Sequence, residues 1–413
     1  MTAEIVIMNK SCVALAADSA VTVTGPSGSK VYNSANKLFM LTKTDSVGVM
    51  IYGSAQYLGM PWETVIKDFR ESPEAKTYEH LEDYANAFIR YVSSADHLCD
   101  SAAAREWALA FIGGYFQNVV LKKIEDAVSE RILAKGAITE TQSKLLANRV
   151  IRNELDAIVK APPLHGVDAK DIDPLARRLS KELDTATGNV FQKLPLSALS
   201  KTALRRLGAN LLLRQGPWPE HAVTGVVIAG FGRCDYYPRS FHFMPRARLD
   251  GTLYHTTPEL QSVSDGQPAV VQAFAQHEMV RTFLEGIDPR FRQAVSAWVG
   301  KIMEGLTAAV PQLAPICPPI LGDFEKAMDE LSAREFRNDV IGTVSILPKD
   351  ELAAMAESLV NLTSFKRRVT MSPESVGGPI DVAVVSKGDG FVWIKRKHYF
   401  EPELNPHFFA RYQ

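Results

Sequence analysis

The chain opens on closely spaced apolar runs of strand length. AEIVIMN and CVALAADS are short, β-branched and apolar, with a turn at NKS between them. AVTVTG reads as a third strand, ended by the turn GPSGSK, and KLFMLT and VGVMIYG follow, joined at KTDS. VGVMIY is almost continuously apolar, which predicts a strand buried on both faces. Past Gly53 the period changes, and SAQYLGMPWETVIKDFRE predicts a helix with Pro61 early in it and charges on one side.

From about Glu79 to Arg214 the pattern stays helical. Ile112, Phe116, Val120, Ile124 and Val128 recur every fourth residue and make one apolar stripe, which predicts helix packing rather than a ligand site. APPLHGVDAKDIDP breaks this region near residue 165. Strands return at VTGVVIAGFG, SFHFMP and TLYHT, and PAVVQAFAQHEMVRTFLEG predicts a helix. Helical sequence then runs from about Pro289 to Phe365, interrupted by PQLAPICPPI. Two closing strands, IDVAVVSK and FVWIKRK, carry the hairpin signal GDG between them. The aromatic tail HYFEPELNPHFFARYQ reads as an arm, packed on a neighbour or over its own subunit. Strand blocks separated by helices predict a layered α+β protein and argue against regular βαβ alternation.

Composition narrows this little. At 413 residues, 46% hydrophobic, the chain exceeds one ordinary domain, so two or three domains or one domain with a large insertion are expected. The net charge of -1 and the lack of any Lys/Arg-rich run predict neither a nucleic-acid partner nor an anionic membrane surface. No apolar run approaches the roughly 18 residues of a membrane span, and no signal-peptide pattern begins the chain. Cys12, Cys99, Cys234 and Cys317 are scattered, with no CxxC pair, which predicts buried free thiols in a reducing, cytoplasmic setting. No metal or organic cofactor is expected.

Familiar motifs fail. GFGRCD lacks the third Gly of a dinucleotide fingerprint, HEMVRT is not HExxH, and GPSGSK has no strand-to-helix context. The nine His residues form no triad-like or metal-like cluster. Thr2 offers different chemistry. Removal of Met1, which is efficient before a small residue, leaves a hydroxyl and a free α-amine on one residue. An α-amine titrates near 7.7–8.0, so it can take the hydroxyl proton as the oxygen attacks a carbonyl. Lys37, at the start of the KLFMLT strand, could favour the alkoxide, and Asp18, at the end of CVALAAD, could pair with it. Gly53, where a buried strand ends, could donate its N–H to an oxyanion from a helix N-terminus.

TAEIVIMNKSCVALAADSAVT resembles the start of a proteasome β-type subunit, in the N-terminal-nucleophile hydrolase family that includes bacterial HslV-like peptidases. The stretch AADSAVT is similar to that family's AADS-x-VT, and its Asp lies 16 residues after the Thr, as here (18 − 2 = 16). YGSAQY resembles the oxyanion element, GVVIAGFG a central strand, and GGPIDVAVVSKGDGFVWI the closing hairpin. The resemblance covers residues 2 to about 72, about 222 to 285 and about 350 to 396. It implies Thr2 as nucleophile, Lys37 as activator, Asp18 as its partner, Gly53 as oxyanion donor, and Thr22 as a residue whose backbone pairs with an extended substrate peptide. Ala20 stands where Arg is usual in the family. For the supporting group that orients the amine, Ser264 is the candidate first Ser, and Glu374 and Ser375 lie near the expected Asp and Ser.

The implied fold is an α+β, four-layer αββα Ntn-hydrolase sandwich of two antiparallel sheets flanked by helices, with an extra helical insertion. The expected divisions are residues 1–72 and 216–396 for the sandwich, 73–215 for the insertion and 397–413 for the tail. The implied function is hydrolysis of a peptide or amide bond in a homo-oligomer, with a ring and an unfoldase partner as further implications. The alternative is a non-catalytic scaffold or binding subunit of the same fold.

Overall fold

The computed structural model describes residues 3–25, 28–192, 194, 196–216, 218, 223–370 and 376–410. Two five-stranded antiparallel sheets organise the chain. The first has the order β14-β1-β2-β15-β16, formed by Ala269–Ala275, Ala3–Asn9, Cys12–Ala17, Asp381–Ser386 and Gly390–Lys395. The second has the order β13-β10-β9-β6-β5, formed by Glu259–Ser262, Arg239–Phe243, Thr224–Gly230, Val47–Gly53 and Leu38–Met40. Three small hairpins complete the strands: β3 (Val21–Gly25) with β4 (Gly28–Tyr32), β7 (Gln56–Tyr57) with β8 (Met60–Pro61), and β11 (Pro245–Leu249) with β12 (Thr252–His255).

The apolar runs are continuous because each central strand is buried on both faces. On β1, Val6 and Met8 join Val13 and Leu15 of β2 against Met50, Val227 and Ala229 of the second sheet. Ile5 and Ile7 point the other way, against Leu352, Ala356 and Val360 of a helix, Lys349–Val369. On the second sheet, Val49, Ile51, Val226 and Ile228 pack under α1 (Trp62–Glu71) and α2 (Leu81–Ser94). The period-2 alternation of a strand thus serves two cores.

A separate helical cluster holds α3 (Ser101–Tyr115), α4 (Lys122–Lys135), α5 (Glu140–Val159), α6 (Ile172–Arg178), α7 (Ser180–Phe191) and α8 (Ala198–Leu213) around its own apolar core. Ala247 and Leu249 of β11 join that core, which fastens it to the strands. The every-fourth-residue stripe has a local consequence. Four residues of α-helix turn about 400°, so such a stripe drifts by about 40° per step. Between α3 and α4 the residues Phe116–Leu121 form a π-helical turn. Its wider winding opposes the drift, and Ile112, Phe116, Val120 and Ile124 all stay fully buried.

Several sequence expectations are corrected. PAVVQAFA is strand β14, paired with β1 at seven positions from Ala3↔Ala275 to Asn9↔Ala269, and the helix spans only Glu278–Glu285. An apolar run of this length fits either element locally, and the free edge of β1 decides. The GPSGSK turn ends earlier than expected, since Gly28–Tyr32 is itself a strand. The helix after Gly53 begins only at Trp62 with Pro61 as its N-cap, consistent with proline's missing N–H.

Candidate active site

Asp18 follows β2 directly and is 1% exposed; Lys37 precedes β5 and is 6% exposed. Asp18 Oδ1 accepts from Lys37 Nζ at 2.6 Å and from the Ala3 N–H at 3.1 Å. Its Oδ2 accepts from the N–H groups of Ala20 at 3.2 Å and Gly377 at 3.0 Å. The Asp18 N–H in turn donates to Ala3 O at 3.2 Å. Four donors on one buried carboxylate offset its desolvation, and they tie three separate chain segments to a single point. Ser19 reinforces the knot: its N–H donates to Gly377 O at 3.1 Å and its hydroxyl to Pro379 O at 2.5 Å.

Gly53 ends β6 opposite Thr224, and the Ile51 N–H donates to Lys37 O at 2.9 Å, so the end of β6 lies beside Lys37. Gly53 has φ +82, and a Cβ there would lie 2.1 Å from Val223 O. Only glycine fits this exit from the sheet. The expected helix N-terminus is absent from this point, because two short strands intervene before Trp62. Gly53 therefore has no helix dipole behind its N–H, and it lies beside Lys37.

Thr2 lies outside the described residues. The description begins at Ala3, whose N–H is held on Asp18. Thr22 is exposed on β3 and pairs with Val31; the other edge of β3 carries no strand among the described residues. Ser264 is not brought to this point. It sits in an exposed turn, where its hydroxyl accepts from the Gln267 N–H at 3.1 Å. The neighbouring Asp265 pairs with Lys10 at the β1–β2 turn, the far end of β1 from Ala3. Glu374 and Ser375 lie outside the described residues.

The structure adds groups that sequence reasoning missed. Glu4, on the inter-sheet face with Val6 and Met8, is fully buried, and neither carboxyl oxygen has a hydrogen-bond partner among the described residues. Burial pushes its carboxyl well above the usual range; Lys37 opposes that shift and Asp18 reinforces it. A charged residue at an inward position of an alternating strand was the available signal. Close by, the Tyr52 hydroxyl shares a 2.8 Å hydrogen bond with His242 Nε2, and both rings lie against Phe274. At the end of β14 paired with Ala3, Ala275 has φ +60, an uncommon conformation for a non-glycine residue, and Gln276 accepts a hydrogen bond from Arg367. Arg246, buried against Tyr52 and Trp218, has no partner for Nε or Nη1 among the described residues, and burial pushes its guanidinium down to about 10.

Among the described residues no group of three or more His, Cys, Asp or Glu is placed to hold a metal ion. No described helix is long and apolar enough to cross a membrane.

No family model and no curated protein matches the chain. Among solved structures it is similar to an Anbu mutant from Hyphomicrobium sp. strain MC1, at 9% identity and a TM-score of 0.28, over 100% of this chain and 94% of that one. It is also similar to Anbu (ancestral beta-subunit) from Yersinia bercovieri, at 9% identity and a TM-score of 0.26, over 99% of this chain and 91% of that one. Scores at this level carry no residue assignment and no activity.

Proposed function

We propose that the protein is an N-terminal threonine hydrolase of the proteasome-like type, with Thr2, freed by loss of Met1, as its nucleophile. The observation that carries the reading is the buried Asp18 carboxylate, which holds Lys37 Nζ at 2.6 Å and the N–H of Ala3, the residue directly after Thr2, at 3.1 Å. A cation is thereby fixed beside the point where the chain begins. On this reading the two sheets and their flanking helices form the four-layer αββα arrangement. The helical cluster is the insertion, and because α2 packs on the second sheet, the insertion starts at Ser101 rather than residue 73.

The chemistry follows in order. Thr2 Oγ adds to the substrate carbonyl carbon while its proton passes to the Thr2 α-amine. Lys37 lowers the cost of negative charge on Oγ, and the Gly53 N–H donates to the oxyanion. The tetrahedral intermediate collapses with cleavage of the C–N bond, and the leaving amine takes the proton from the α-amine. Water then hydrolyses the threonyl ester by the reverse proton route. An extended substrate would add to the open edge of β3 at Thr22.

The test is cleavage of a fluorogenic peptide amide by wild type, Thr2→Ala and Thr2→Ser. Activity kept by Ser and abolished by Ala supports the reading. Equal activity in all three removes it. A scaffold role is the second reading, and one observation favours it: Ser264, expected to steady the α-amine, sits at the opposite end of β1.

A further inference from the structure

A cavity of about 1020 Å³ opens between the helical cluster and the chain that leaves Gly53. Ser54, the residue after Gly53, lines it together with Gln56 and Leu58. Leu58 has φ +48, which a bulky residue adopts only at a conformational cost, and this turn presents it to the cavity. The facing wall is an aromatic stack. Trp107 and Phe111 lie nearly parallel, with centroids 6.0 Å apart, and Phe111 and Trp218 stack at 4.0 Å. The Arg246 guanidinium lies 4.6 Å from the Trp218 ring centroid and steadies that ring. The only charged groups among the described lining residues, Lys123 and Glu154, pair at 2.7 Å, and the Tyr115 hydroxyl donates to the same carboxylate at 3.1 Å. Their charges cancel, so the described lining is apolar and aromatic and carries no net charge of its own.

We propose that this cavity is a binding site for a bulky, uncharged apolar group, aromatic or long aliphatic, carried by the amide substrate next to its scissile bond. The inference rests on the reading of Thr2, Lys37 and Gly53 as the reacting site. Continuity identifies the occupant: Ser54 joins the floor of the cavity to Gly53, so a substrate carbonyl at Gly53 has the cavity as its neighbour. A charged side group would meet no unpaired counter-ion among the described lining residues, which the low-polarity walls disfavour. Because α3 and α5 supply most of the wall, the helical insertion sets substrate choice here.

The full chain, wild type and Gly114→Leu, is assayed with two aminomethylcoumarin amides, acetyl-phenylalanyl and acetyl-alanyl. Gly114 lines the cavity, and a Cβ built there meets nothing within 4 Å, so a leucine fills the space without a clash at its base and suits the helix. The expected wild-type preference for the phenylalanyl amide is on the order of 100-fold in kcat/KM. In Gly114→Leu the ratio falls towards 1. Calorimetry with N-acetyl-phenylalaninamide and the Thr2→Ala protein separates the two claims. Binding that Gly114→Leu abolishes, with no hydrolysis by wild type, supports the cavity and sinks the hydrolase. Hydrolysis without preference between the amides, or binding unaffected by Gly114→Leu, overturns the cavity proposal.

Discussion

Glu4→Gln tests the electrostatics of the site apart from its chemistry. Glu4 is fully buried with no hydrogen-bond partner among the described residues, and burial holds its proton on well above the usual carboxylate range. The unfolded chain releases the same proton near pH 4.3. Above that pH and below the folded value, the folded state binds one more proton than the unfolded state. Stability therefore falls as pH rises, by about 1.4 kcal/mol per pH unit. The contribution is fully present below the unfolded pKa and is lost on the way up to the folded one. Glutamine has nearly the same shape and nothing to titrate, so this slope disappears. Urea unfolding at pH 5.5 and 6.5, followed by tryptophan fluorescence, measures it. Wild type loses more stability than the variant across that window. Equal pH dependence in the two proteins, or a variant less stable than wild type at both pH values, would mean that Glu4 is ionised and paired, refuting the argument.

Lys37→Met leaves Asp18 buried with its backbone donors but no cation; it is expected to cost about 3 kcal/mol in urea unfolding and to abolish amide cleavage, and a cost below about 1 kcal/mol would show that the pair is solvated. Gly53→Ala forces a Cβ to 2.1 Å from Val223 O at φ +82, so a loss of at least about 2 kcal/mol in thermal or urea unfolding is expected, and a neutral result would place the end of β6 differently. Arg246→Met replaces a buried cation, two of whose nitrogens have no partner among the described residues, by an apolar group of similar length, and a gain of about 1–2 kcal/mol is expected; a loss of that size would reveal a carboxylate partner.

The parts of this account that were legible in the sequence are those fixed by short spacing. Asp18 and Lys37 stand out because each ends or begins an apolar strand, and β1, β2 and β6 announce themselves by short, nearly continuous apolar runs. What was illegible depends on distant pairing. PAVVQAFA becomes a strand because the free edge of β1 takes it, which no local window contains. That same misreading hid Ala275 and Gln276, which β14 delivers to the Thr2 end of the sheet, and left Ser264 as the candidate instead. Glu4 was readable in principle: on a strand with Val6 and Met8 facing inward, position 4 must face inward too. The cavity beside Ser54 was beyond reach, since its walls come from α3, α5 and Gln215, Gly216 and Trp218, brought together only by the helical core.

The most direct measurement is the intact mass of the purified protein before and after treatment with a peptide epoxyketone, a reagent that needs both a hydroxyl and a free α-amine on one residue. The account predicts a starting mass lower than the full sequence by one methionine residue, and a single stoichiometric adduct that Thr2→Ala abolishes. Retained Met1, or an adduct that survives Thr2→Ala, would contradict the claim that Thr2 is the nucleophile.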